Sequence, residues 1–286
     1  DITFDTGAGV NIISDSLALK YGLVPLDAFE SVGGMGVQSG RYAIAKELKL
    51  GNITVTDVPF VVLTLTTNNK EADQYIDCFG IVVGSELMLQ LKDLTVDFVN
   101  RRISVPSDIP SRSDARPNMC FSSSMNLLAR GMIHDNPMLV NIDTGDASYG
   151  ILDKTFLDRN KEFVMSHSPA DSVRMAGIGG VHISQCYRVP DMTARLGGST
   201  VTIPVMDVRM QDNPAGMDYE CNFGLKSLRL FGKIRFNMVD FTLTTYPQVL
   251  SLNKLPALKV PEFTVTKDRG IKPLQAVGLV AVGVAR

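Results

Sequence analysis

The chain alternates short apolar runs with polar, glycine-marked breaks, and few runs have the length or period of a helix. Residues 2–9, Ile-Thr-Phe-Asp-Thr-Gly-Ala-Gly, open with an apolar, strand-like run that ends in Asp-Thr-Gly. Ser14–Tyr21 starts with capping-type residues, sets Leu17 and Tyr21 at helical spacing and is stopped by Gly22, which predicts a short helix. Ser31-Val32-Gly33-Gly34-Met35-Gly36 holds too many glycines for a regular element. With Tyr42-Ala43-Ile44 beyond it, it predicts the tip of a mobile hairpin. Leu48–Leu65 reads as strands, with a turn at Gly51-Asn52 and a second break near Asp57-Val58-Pro59. Asn68–Gln74 is polar and reads as a loop. Phe79–Gly84 is an apolar run closed by glycine, and a helix is predicted from Ser85 to about Leu91. Thr95–Phe98 and Arg102–Val105, joined by Asn100-Arg101, predict a hairpin.

Pro106–Asn118 shifts to Pro, Ser, Arg and Asp, the composition of a linker. Beyond it the same order returns. Met138–Ile142 leads into Asp143-Thr144-Gly145, and Asp153–Leu157 predicts a short helix. Met175–Val181 is again glycine-rich (Gly177-Ile178-Gly179-Gly180), and Gly197–Val208 reads as a strand pair. Asn222-Phe223-Gly224 precedes a helix over Leu225–Phe231, and Ile234–Phe236 with Phe241–Leu243 predict a closing hairpin. The offsets repeat as well as the order. Asp5 and Asp143 lie 138 residues apart; Asp5 to Gly84 is 79 residues and Asp143 to Gly224 is 81. From each Asp to its glycine-rich tip, at Gly33 and Gly177, is 28 and 34 residues. Two halves with matched order and spacing predict one β-rich unit made twice. The expected division is a first lobe over 1–105, a linker over 106–118, a second lobe over 119–247 and a tail over 248–286. The tail's apolar Leu274–Val282 stretch is a candidate for extra strands in a sheet between the lobes.

Composition narrows the function classes. A chain of 286 residues with 45% hydrophobic content can bury a sizeable core. Its 28 basic and 30 acidic residues, formal net charge −2, give no global attraction to nucleic acid or a membrane surface. No apolar run reaches the roughly 18–20 residues that a membrane-spanning helix needs. Cys78, Cys120, Cys186 and Cys221 show no Cys-x-x-Cys spacing and no adjacent His, so buried free thiols are expected, with a disulfide pair as the alternative. The start, Asp1-Ile2-Thr3-Phe4, carries neither an initiator Met nor a signal peptide and reads as the trimmed start of a longer chain. Compartment stays open, with a secreted or periplasmic protein lacking its targeting segment among the options.

With Asp-Thr-Gly, a glycine-rich tip and an apolar-apolar-Gly segment in each half, the sequence resembles the pepsin and retroviral-protease class of aspartic peptidases. The tips, Gly-Gly-Met-Gly and Gly-Ile-Gly-Gly, are more similar to retroviral flaps than to that of pepsin. The resemblance implies an all-β, bilobal, pepsin-like architecture of two fused retropepsin-like β-barrel lobes with few short helices, active as a monomer on a peptide or protein substrate. It also implies a role for each matched residue. Asp5 and Asp143 form a catalytic dyad; Thr6 and Thr144 bond across the interface; Gly7 and Gly145 let the two loops approach. Gly33, Gly34, Met35 and Gly36, with Gly177, Ile178, Gly179 and Gly180, form flaps over the substrate. Gly84 and Gly224 follow the apolar runs that cross the aspartate loops.

Such a dyad shares one proton, because two adjacent carboxylates cannot both ionise cheaply, and it needs neither metal nor other cofactor. Two departures stand out. Where the first copy has Ala8, the second has Asp146, a third carboxylate expected to raise the dyad's apparent pKa values or, instead, to cap the following turn or pair with a nearby base. The second lobe also has strand-forming residues ahead of its Asp-Thr-Gly, at Met119–Met138, that the first lacks. A catalytically inactive peptide-binding module of the same fold is the alternative. Duplicated kinase-like ATPases also carry paired Asp-x-Gly turns, but they need long helices that this pattern does not supply.

Overall fold

A computed structural model describes residues 2–26, 28–33, 36–65, 80–108, 115–167, 169, 172–177, 180–213, 217–247 and the strand pair 282–283. Strands dominate, and the helices are all short. Two of the described helices start at a side-chain cap. The Ser14 side chain accepts the Leu17 N–H ahead of Asp15–Lys20, and the Asp153 side chain accepts the Phe156 N–H ahead of Lys154–Arg159. Ser85–Leu91 and Leu225–Leu230 each begin directly after the glycine that closes an apolar strand, Gly84 and Gly224. A further short helix, Lys161–Met165, follows Asn160.

The halves repeat one strand arrangement around their Asp-Thr-Gly segments. In the first, Ile81–Val83 runs between Thr3–Phe4, parallel to it, and Ile12–Ser14, antiparallel to it. Ile12–Ser14 in turn lies parallel to Ile53–Leu63. In the second, Cys221–Phe223 runs between Asn136–Ile142 and Gly150–Leu152, and the latter lies parallel to Ser199–Arg209. The strand order that follows in the second half closes on itself, because Leu127–Ile133 pairs with both Asn136–Ile142 and Cys186–Leu196. This makes a β-barrel around a large apolar core containing Phe156, Phe223, Phe231 and Phe236. The first half has its own core around Phe60, Val62 and Leu87.

The two closing hairpins mate. Asp93–Asp97 and Lys233–Asn237 pair antiparallel at the centre of a four-stranded sheet flanked by Arg102–Ser104 and Thr242–Tyr246. The Arg235 guanidinium grips the buried Asp93 carboxylate through Nε and Nη2, and Lys233 reaches Asp97 at 2.8 Å. The halves are therefore stapled through backbone and charge at the face that carries this sheet.

Two sequence expectations change. Gly197–Val208 is a turn and one strand: the partner strand is Cys186–Leu196, because Gly197 and Gly198 both take positive φ and reverse the chain there. Asp57-Val58-Pro59 does not break its strand. Ile53–Leu63 runs through it, with Asp57 taking φ +53° where the pairing passes over Lys46 and Asp57. In the tail, Val282–Gly283 pairs with Gly33 and Val32 at the edge of the first glycine-rich hairpin. The rest of 248–286, the 66–79 segment with its expected loop, and positions 109–114 of the linker lie outside the described residues.

Candidate active site

The two Asp-Thr-Gly segments meet head to head. The Asp5 N–H donates to the Val83 carbonyl at 2.9 Å and the Asp143 N–H to the Phe223 carbonyl at 3.0 Å, so each aspartate hangs from the apolar run that precedes Gly84 or Gly224. Ser85 N–H then bonds the Ala8 carbonyl and Leu225 N–H the Asp146 carbonyl, pulling each loop under its run. A Cβ on Gly84 would run into the carbonyl of Ala8, and one on Gly224 would lie 2.5 Å from that of Ser148. Glycine is required at both crossings.

Thr6 and Thr144 lock the loops together. The Thr6 hydroxyl donates to the Ile142 carbonyl at 2.5 Å, and that of Thr144 to the Phe4 carbonyl at 2.8 Å. Asp5 and Asp143 end up side by side and buried, close enough that each acts on the other's ionisation. A Cβ on Gly7 would sit 2.5 Å from Asp143 Cγ, and one on Gly145 would strike the Asp5 carboxyl in the same way. Gly7 N–H donates to Asp5 Oδ1, and Gly145 N–H and Asp146 N–H both donate to Asp143 Oδ1. Burial pushes both carboxyls above the usual range. For Asp143 the neighbouring charges of Asp5 and Asp146 push further in the same direction.

Asp146 does two things at once. Its Oδ1 accepts the Ser148 N–H at 2.8 Å and caps the turn, while its Oδ2 accepts Asn222 Nδ2 at 2.8 Å. The same Asn222 nitrogen donates to Asp143 Oδ2 at 3.2 Å, so one amide bridges the second and third carboxylates. Burial raises the Asp146 carboxyl too. Tyr219, buried, stands within electrostatic reach of both Asp143 and Asp146. Neither Asn222 nor Tyr219 was singled out from the sequence as a site residue. A polar Asn where the first half has the apolar Val82 is the available signal for Asn222; nothing local marks Tyr219.

The glycine-rich segments form hairpins whose last pairs are Gly33 with Gly36 and Gly177 with Gly180. Gly34, Met35, Ile178 and Gly179 lie outside the described residues. Cys186 and Cys221 are buried free thiols and Cys120 is exposed and free. Among the described residues, no group of three or more His, Cys, Asp or Glu could hold a metal ion, and no helix is long and apolar enough to cross a membrane.

A protease of equine infectious anaemia virus (EIAV), solved with the inhibitor HBY-793, is 21% identical at a TM-score of 0.24, covering 42% of this chain and 92% of its own. Basic 7S globulin from soybean is 9% identical at a TM-score of 0.47, covering 86% of each chain. No curated protein matches. Residues 1–79, which hold the first Asp-Thr-Gly, match the family described as Aspartyl protease, and in this the chain is similar to aspartic proteases of the retropepsin and pepsin type.

Proposed function

We propose that the chain is an aspartic endopeptidase in which Asp5 and Asp143 activate a water for attack on a peptide bond. The observation that carries this reading is the meeting of two buried carboxyls, one from each half, held by reciprocal threonine bonds. At working pH the pair holds one proton. The ionised member takes a proton from a water held between the carboxyls, and the resulting hydroxide attacks the scissile carbonyl carbon. The protonated member donates to the carbonyl oxygen, giving a neutral gem-diol. Its collapse breaks the C–N bond, with a proton delivered to the leaving nitrogen, and restores the dyad. The substrate lies extended beneath the hairpins that end at Gly33–Gly36 and Gly177–Gly180, pairing through its backbone. No step calls on a cofactor.

Incubating the protein with a mixed peptide library from about pH 3 to about pH 8, beside Asp5→Asn and Asp143→Asn, tests the proposal. Cleavage by wild type that is lost in both variants supports it. Peptide binding without cleavage by wild type favours the inactive peptide-binding module.

A further inference from the structure

The two halves carry one scaffold but line it with opposite chemistry. Ile12 faces Val61 and Val82 across its two neighbouring strands, and Ile151 faces Asp207 and Asn222 in the same way. Matching these registers sets Leu63 against Arg209 two residues on, and Tyr42 against Arg188, which oppose Val61 and Asp207 respectively. Ala8 matches Asp146, each three residues past its aspartate. In the first half these positions form an apolar cluster of Ala8, Ile12, Val61, Leu63 and Val82, with Tyr42 packed on it. In the second, only Ile151 keeps that character.

Arg209 is the residue in this set that its surroundings do not satisfy. It is 1% exposed, yet no carboxylate among the described residues lies within 4.0 Å of its guanidinium. Nη1 donates to Asn213 Oδ1 at 3.0 Å and to the Met217 sulfur at 3.7 Å; Nη2 donates to the Met175 sulfur at 3.4 Å; Nε has no partner among the described residues. A buried cation is costly unless an anion pairs with it, and thioethers are weak acceptors that a carboxylate readily displaces. Met175 belongs to Val173–Gly177, a strand of the second glycine-rich hairpin, which joins no other sheet among the described residues. Leu63, which Arg209 matches, lies in the first half in one cluster with Ala8, which Asp146 matches. The guanidinium therefore touches the hairpin strand through Met175 and occupies the position that, in the first half, belongs to the apolar cluster beside the aspartate loop.

We propose that Arg209 is a specificity-determining residue that receives an acidic side chain of the bound peptide, while the matching apolar cluster of the first half receives an aliphatic one. The substrate class is then a peptide with a Glu or Asp on one side of the scissile bond and an aliphatic residue on the other. This rests on the peptidase reading only in placing an extended peptide beneath the hairpins. The ligand's carboxylate displaces the Met175 and Met217 sulfurs and takes the free Nε–H together with one Nη–H, the two-pronged geometry that guanidinium and carboxylate share.

Binding separates this proposal from the chemistry. Capped decapeptides with one reduced, non-hydrolysable peptide bond are prepared with Glu, Gln or Leu at each of the four positions around that bond in turn. Their affinities are measured by calorimetry at about pH 6.5, where Glu is ionised. At one position, wild type is expected to bind the Glu peptide about tenfold or more tighter than its Gln twin, the worth of a charge-assisted bond. Arg209→Leu, which installs the first half's own residue, is expected to erase that difference and to favour Leu. Equal binding of every Glu and Gln pair by wild type overturns the proposal without any variant. So does a Glu preference that survives in folded Arg209→Leu, and so does binding of none of the peptides. Tight binding without cleavage of the unmodified peptides would leave the Arg209 assignment standing and count against the peptidase reading.

Discussion

The hydroxyl oxygen of Thr6 accepts the backbone N–H of Thr144 at 3.1 Å, and that of Thr144 accepts the N–H of Thr6 at 3.0 Å. Each hydroxyl also donates to a carbonyl of the opposite half, so four hydrogen bonds hold the two aspartate loops in register. Thr6→Val keeps the shape and strands a buried N–H and a buried carbonyl. Thermal melts are expected to show a loss of about 1–3 kcal/mol for each stranded group, and Thr6→Ser to recover most of it. Activity should fall with Val and return with Ser; equal stability of all three would contradict the lock.

Gly7 and Gly145 leave no room for a methyl group, since a Cβ at Gly7 would lie 2.5 Å from Asp143 Cγ. Gly7→Ala and Gly145→Ala therefore push the carboxyls apart. Each is expected to lower kcat/KM by about 100-fold or more, the usual effect of misplacing reacting groups by an ångström. Binding of a non-hydrolysable peptide distinguishes lost geometry from lost fold. Wild-type turnover in either variant would mean that the carboxyls need not be adjacent.

Removing Asp146 should move the pH–rate profile toward acid. Burial and the charges of Asp5 and Asp146 together raise the Asp143 carboxyl, so taking one negative charge away lets the dyad ionise at lower pH. Asp146→Ala is expected to shift both limbs of the bell downward. A profile that stays where it was would make Asp146 only a turn cap through Ser148.

The sheet that joins the halves should carry an opposite, acid-side dependence. Burial pushes the Asp97 carboxyl up, but bonds from Lys233 and Asn100 outweigh it and hold it at about 2. With its folded value depressed, Asp97 contributes stability that is present above the unfolded value of about 3.9 and is lost as pH falls toward about 2. Melting temperatures of wild type and Asp97→Asn should therefore converge across that window. A constant gap would assign the stability to packing instead.

Much of this was legible in the chain because the signals are local. Ser14 and Asp153 announce their helices, and Asp-Thr-Gly, the glycine tips and the apolar-Gly runs repeat at matched offsets. What was illegible depends on partners distant in sequence. Nothing near Asp93 says that it will meet Arg235, 142 residues on. The strand Cys186–Leu196 escaped notice because its partner, not its own composition, reveals it as half of a long ribbon. Nothing local marks Asn222 or Arg209 until each is set against Val82 and Leu63 of the other half.

The central claim is that Asp5 and Asp143 act as one unit, and a double-mutant cycle tests it most directly. kcat/KM is measured for wild type, Asp5→Asn, Asp143→Asn and the double variant on one cleavable peptide. If the carboxyls share a proton and a water, either single change removes nearly all activity and the double variant is no worse than the singles. Substantial activity in either single variant, or losses that add in the double, would contradict the account.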